Sequence, residues 1–331
     1  MNSNILGIVL AVLGGMLVGN CMSPLKRIRN WPWECTWLVF SCTSLLVVPC
    51  LLALILVPGW PGVYASVDLS PLLQSFLFGF GWGIAQVLFG ISVVRLGMAL
   101  AFTIVVGLGT VFGTLIPFVA GHEGNASSGA SMLLMAGCGL MVVGVAVSGY
   151  AGRLREVSQS SEHSGYLSGI TVAVVSGVLS SMLNLSLAFG KPVAEAFSRH
   201  GAAASTAVFA VWPVALAGGL IPNAAYALFL LSRNRSWNKF EGSWKDGLWS
   251  SLMGLLWIGA VAIYGVATRF LGHLGDSAGW AIYQITMVVA ANGAGVLAGE
   301  WRAASRRASV VLAVGVMVLI LATVTVASST K

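Results

Sequence analysis

The sequence predicts an all-α integral membrane protein of ten transmembrane helices. Three observations point there: 57% of the 331 residues are hydrophobic, only 8% are charged, and the mean hydropathy is +0.91. Apolar runs long enough to cross a hydrocarbon core of about 30 Å at about 1.5 Å per residue recur along the whole chain. They are continuous, without the in-out alternation of a membrane β-barrel. A water-soluble enzyme is excluded by the same composition.

Reading runs between polar gaps places spans at 4–23, 36–58, 71–93, 97–119, 130–151, 167–189, 206–231, 247–269, 276–298 and 308–328. The start, Met1-Asn2-Ser3-Asn4, has no basic region and no small-residue cleavage site follows, so the first run is expected to stay as a span. Spans three and four are joined by Val94-Arg95-Leu96-Gly97, a tight hairpin turn. In span seven, Pro213 and Pro222 could break or kink the helix beside Trp212 and Asn223. The other loops are too short for a separate domain.

Loop charge gives the orientation. Thirteen of the 17 Lys and Arg fall after odd-numbered spans, from Lys26, Arg27 and Arg29 to Arg302, Arg306 and Arg307. Lys191, Arg199, Arg269 and Lys331 lie on the other side. The positive-inside rule then puts the odd loops in the cytoplasm and both termini outside, in the periplasm for a bacterial inner membrane. A formal charge of +7 dispersed in this way is a topology signal and predicts no nucleic-acid partner. Cys21, Cys35, Cys42, Cys50 and Cys138 show no metal or redox spacing and are expected to be free buried thiols. His122, His163, His200 and His273 fall in loops without metal spacing, and no phosphate loop is present, so neither metal, cofactor nor ATP-driven pumping is expected.

The segment from Gly7 to Leu17 aligns with Gly169 to Leu179, with six of eleven positions identical. The copies lie about half a chain apart, which suggests two repeats, 1–155 and 156–331, within a single transmembrane domain. Five spans per repeat is odd, so the second copy enters the membrane inverted, an arrangement suited to alternating access.

A series of motifs then carries a family resemblance. In the first half they are Pro24-Leu25-Lys26-Arg27-Ile28-Arg29 with Trp31-Pro32-Trp33-Glu34, Trp82-Gly83-Ile84, Arg95-Leu96-Gly97-Met98 and Gly113-Thr114-Leu115. In the second half they are Lys191-Pro192 with Glu195, Asp276 with Trp280, and Glu300-Trp301 with Arg306-Arg307. With them, most of the chain resembles the L-rhamnose/proton symporter family of the drug/metabolite transporter superfamily. The resemblance implies proton-coupled uptake of a deoxyhexose by two five-helix repeats. The chain departs from the family pattern at Ala85-Gln86-Val87-Leu88-Phe89-Gly90 and in a shortened loop between spans eight and nine.

Polar side chains inside spans are costly unless they face the bundle or a wet cavity, so they mark candidate sites. Trp82 with Gln86, and Trp257 with Tyr264, share helix faces and suit a sugar, rings packing on C–H surfaces and amides meeting hydroxyls. Ser176, Ser180 and Asn184 form a polar stripe in span six, and Asn20 lies near the inner end of span one. Asp276, Trp280 and Gln284 run along span nine with Asn292 further round. For each of these the competing reading is interhelical hydrogen bonding or an interfacial belt.

Proton coupling would need a carboxylate near a span end: Asp276, Glu34 or Glu300, of which Asp276 is preferred, with a helix-start role at the dipole as its competing reading and interfacial ion pairs as that of Glu34 and Glu300. A desolvated carboxylate takes up a proton more readily. Lys191 with Glu195 one turn on reads as an outer gate or a surface ion pair. Proton-coupled monosaccharide uptake is thus the leading expectation, with sugar, proton and bilayer as partners and a monomer or homodimer as the assembly. An exporter or uncoupled facilitator of the same fold is the alternative, and a membrane receptor or enzyme subunit the reading from another class.

Overall fold

The computed structural model describes residues 3–96, 98–120, 128–156, 166–272, 275–299, 301–302 and 304–329. Among them every regular element is helical, and ten helical segments are long and apolar enough to cross a membrane. The first half of the chain comprises α1 (Ser3–Asn20), α2 (Trp33–Cys42) with α3 (Val48–Leu56), α4 (Leu69–Leu96), α5 (Met98–Val119) and α6 (Ser128–Glu156). The second comprises α7 (Tyr166–Ser180), α8 (Met182–Ala188), α9 (Lys191–Arg199), α10 (Val211–Arg233), α11 (Trp244–Phe270), α12 (Gly275–Leu297) and α13 (Arg306–Ser329).

Ten spans agree with the hydropathy reading, and the differences have local causes. The second span is one rod whose middle, Thr43–Val47, widens to π geometry just before Pro49. Pro49 has no N–H for the ladder and its ring crowds the preceding turn, which the wider turn relieves. The sixth span is interrupted at Ser181 and again at Phe189 and Gly190, and continues as α9, where Pro192 fits the first turn. The seventh span is not broken: α10 is continuous, with Pro213 in its first turn and Pro222 inside. Beside Pro222 the Asn223 side-chain amide donates to the Gly219 carbonyl at 2.9 Å, one turn back on its own helix. Of the expected hairpin turn, Val94, Arg95 and Leu96 belong to the last turn of α4, and Gly97 lies outside the described residues.

α1 packs on α11 and α12, α4 on α7 and α10, α5 on α7 and α12, and α6 on α13. Glycine sets the closest crossings. A Cβ on Gly79 would collide with the Ala215 carbonyl, and one on Gly218 with that of Phe76, so α4 and α10 meet backbone to backbone. The innermost side chains are aromatic: Trp82, Trp212, Trp257, Tyr264, Trp280 and Tyr283 share one buried cluster. α13 turns Val310, Met317 and Val324 outward, where lipid replaces water as their solvent. The chain is a multi-pass membrane protein.

Candidate functional site

The aromatic cluster encloses a cavity of about 140 Å³ between α4, α5, α11 and α12, closed at the sides by Val18 of α1 and Leu183 of α8. That far exceeds the roughly 10–15 Å³ needed for one water. Trp82 and Trp257 stack at one wall, ring centroids 5.2 Å apart with 25° between the planes. Trp280 stacks on Tyr283 at 5.8 Å and meets Tyr264 edge-on at 5.5 Å, while its Nε1 donates to the Gly109 carbonyl at 3.2 Å. Gly113 makes room for that indole, since a Cβ there would collide with the Trp280 ring. The ring planes are therefore fixed by neighbours before anything binds.

Between these rings lie two amides, Gln86 and Gln284. Neither has a hydrogen-bond partner among the described residues, although Gln284 is only 8% exposed. Ser180 lines the same space, and its buried hydroxyl is likewise without a partner among the described residues. Leaving such groups unpaired costs about 1–3 kcal/mol each in a dry interior, so the arrangement suits a wet cavity that exchanges water for hydroxyls. Apolar Val105, Val106, Leu183 and Met287 complete the wall. An occupant with hydroxyls on one side and C–H or methyl surface on the other matches this chemistry.

The sequence-selected residues divide into several places. Trp82, Gln86, Trp257, Trp280 and Gln284 come together at the cavity. Asn184 is fully buried beside it: its amide donates to the carbonyls of Gly113 and Asp276, both at 2.8 Å, and its oxygen accepts from the Tyr264 hydroxyl. Asn184 and Tyr264 thus tie α8, α5, α11 and α12 together behind Trp280. Ser176 bonds the Ala85 carbonyl at 2.8 Å, so the break at Ser181 divides the polar stripe of span six. Asn20 and Asn292 donate to the carbonyls of Met16 and Val288, one turn back on their own helices, away from this cavity.

The charged candidates sit at the two ends. Asp276 is 2% exposed and pairs with Lys191 at 2.6 Å, bolting α9 to the start of α12; Glu195, the partner expected for Lys191, is exposed. Arg269 lines the same recess as this pair. At the opposite end Glu34 accepts from the Ser236 hydroxyl at 2.6 Å and the Asn234 amide at 3.0 Å, fixing α2 to the segment after α10. Glu300 lies outside the described residues.

Sequence reasoning missed Phe89, Phe102 and Tyr283 as cavity walls; Tyr283, one turn from Trp280, was the one with a visible signal. It also missed Asp246, which is 3% exposed and accepts from the backbone N–H groups of Asn30 at 2.8 Å and Trp31 at 3.2 Å. The cue was Ser243 three residues earlier, which caps α11.

Comparison with known proteins bears on this geometry. The L-rhamnose-proton symporter of Yersinia pestis (strain Pestoides F) is 28% identical over 333 aligned residues, covering 97% of this chain and 96% of its own. That of Yersinia pseudotuberculosis serotype O:1b (strain IP 31758) gives the same figures, 28% with 97% and 96% coverage. Residues 1–330 match the family model described as L-rhamnose-proton symport protein (RhaT). With that match spanning the chain, the protein belongs to the L-rhamnose-proton symport protein family, a family of transporters and not of enzymes.

Proposed function

We propose that this chain is a secondary active carrier that takes up L-rhamnose or a related deoxyhexose together with a proton, by alternating access, in a bacterial inner membrane. The observation that carries the reading is the pair of amides, Gln86 and Gln284, which have no hydrogen-bond partner among the described residues and line the cavity beside fixed indole planes. Rings and amides of this kind offer C–H stacking and hydroxyl hydrogen bonds at once. The names of the similar proteins point to the same substrate.

Two inverted five-helix repeats, of the drug/metabolite transporter fold, would give the carrier its two states. In favour stand residues in matched register on spans three and eight: Ser75 and Ser250, Gly79 and Gly254, Trp82 and Trp257, Gly90 and Gly265. The matched tryptophans stack on each other. The matched glycines Gly79 and Gly254 face spans seven and two respectively, each other's counterparts. Gly7 and Gly169, aligned by the sequence repeat, press on Leu271 and Leu96, the ends of spans eight and three.

The cavity lies toward the end bearing the basic odd loops, with Val18, Phe89, Phe102 and Met287 on that side, and the Lys191–Asp276 pair lies at the other. With basic loops cytoplasmic and both termini periplasmic, this is an inward-facing state closed outside by the ion pair. Asp276 is our candidate for the proton: protonation removes its charge, releases Lys191 and frees α9 from α12. Uptake of radiolabelled rhamnose into energised vesicles tests the whole reading. Accumulation that survives collapse of the proton gradient would overturn symport, and accumulation retained by Asp276→Asn would move the proton to another carboxylate.

A further inference from the structure

Beyond the carrier cavity, a recess of about 440 Å³ opens where the segment between α1 and α2 meets the first turn of α11. Four cationic residues line it, Lys26, Arg27, Arg29 and Lys245. A topology signal needs such charges only on the same side of the membrane; here they converge on one concavity. The Arg27 guanidinium is held over the Trp249 ring, 4.8 Å from its centroid. The single carboxylate of the recess, Asp246, is 3% exposed and faces inward, accepting from the backbone N–H groups of Arg29, Asn30 and Trp31. Those bonds fix the loop that carries Arg29 to the helix that carries Lys245.

Apolar side chains next to these residues in the chain are exposed. Trp244 is 71% and Leu248 58% exposed on α11, and Leu25 is 42% exposed on the loop. Side chains of this type at the end of a span meet the headgroup and upper acyl region of a bilayer. We propose that this recess binds the phosphate of an anionic phospholipid, with the guanidinium and ammonium groups on the phosphate and the exposed apolar side chains next to them in the chain against the acyl chains. A soluble anion would use the same cations and leave exposed Trp244, Leu248 and Leu25 without a role.

Native mass spectrometry of the purified full chain with phosphatidylglycerol and phosphatidylcholine vesicle lipids tests this. The wild-type protein is expected to retain phosphatidylglycerol in preference to phosphatidylcholine. R29Q/K245Q is expected to reduce that retention by more than about fivefold, the effect of losing one basic contact near a membrane surface. R29K/K245R should keep it, and Arg95→Gln, on a different basic loop, should not change it. Both altered side chains are exposed, and an unchanged melting temperature for R29Q/K245Q confirms that its fold is intact. Equal retention of both lipids, or full retention by a folded R29Q/K245Q, overturns the proposal. So does orthophosphate that displaces the bound lipid at equal headgroup concentration, which would assign the recess to a soluble anion.

Discussion

Gln86 and Gln284 are the two residues whose removal should affect substrate with least effect on the fold, because neither amide has a hydrogen bond to another described residue. Each amide-to-hydroxyl bond is worth about 0.5–1.5 kcal/mol, so Gln86→Ala and Gln284→Ala should each raise the KM for sugar uptake about threefold to tenfold with expression unchanged. Vesicle uptake over a range of sugar concentrations measures this, and an unchanged KM in both variants removes the amides from the site. Asn184 should behave in the opposite way. Its three bonds join four helices, so Asn184→Ala should lower folded-state stability by about 2 kcal/mol, scaling the ~0.6–1.7 kcal/mol of interhelical bonds in membranes. A thermal melt in detergent checks that, and a melting temperature equal to wild type would mean the network carries no stability. All three residues stand out in the sequence by one criterion, a polar group inside a span. The criterion finds groups that need partners; whether the partner is a carbonyl on another helix, as for Asn184, or an open cavity, as for Gln86, depends on distant contacts that one strand of sequence does not contain.

At the scale of helices, the crossing of α4 and α10 depends on bare backbone. Gly79→Val places a branched side chain against the Ala215 carbonyl, which cannot yield without parting the two helices, and overpacking of this kind costs about 1–3 kcal/mol or more. Gly79→Val should therefore fail to yield folded carrier, while Gly90→Ala on the same helix, with nothing within 4 Å of its Cβ, should be tolerated and gain up to about 1 kcal/mol in helix propensity. Size-exclusion profiles of the two variants decide this, and a monodisperse Gly79→Val would disprove the close crossing. The spans themselves were legible because hydrophobic length is a local property. The interruptions at Ser181 and Gly190 and the π turn at Thr43–Val47 were not, because a lipid-embedded helix opens its ladder only where another element takes over the freed groups. The Ser75 hydroxyl does this at the broken span, donating to the Ser186 carbonyl from α4 at 2.6 Å.

For the whole molecule, the proposed inward-facing state makes one mechanical claim: the end that bears α9, where Lys191 pairs with Asp276, is shut while the basic end gives access to the indole-lined space. A carrier frozen in that state should bind but not transport. Replacing Lys191 and Asp276 by cysteine, in a background freed of Cys21, Cys35, Cys42, Cys50 and Cys138, allows a short bifunctional thiol reagent to bridge α9 to α12 in place of the ion pair. Bridging should bring sugar uptake down to background, and cleaving a reducible bridge should restore it to the level of the unbridged variant. Sugar-induced change in the fluorescence of the stacked Trp82 and Trp257 should persist in the bridged protein, because access from the basic end does not require α9 to move. Loss of both uptake and binding would place the entrance at the α9 end, reversing the inferred sidedness. Uptake that continues with the bridge in place would show that α9 and α12 do not separate during the cycle, and the ion pair would then be a structural bolt and not a gate.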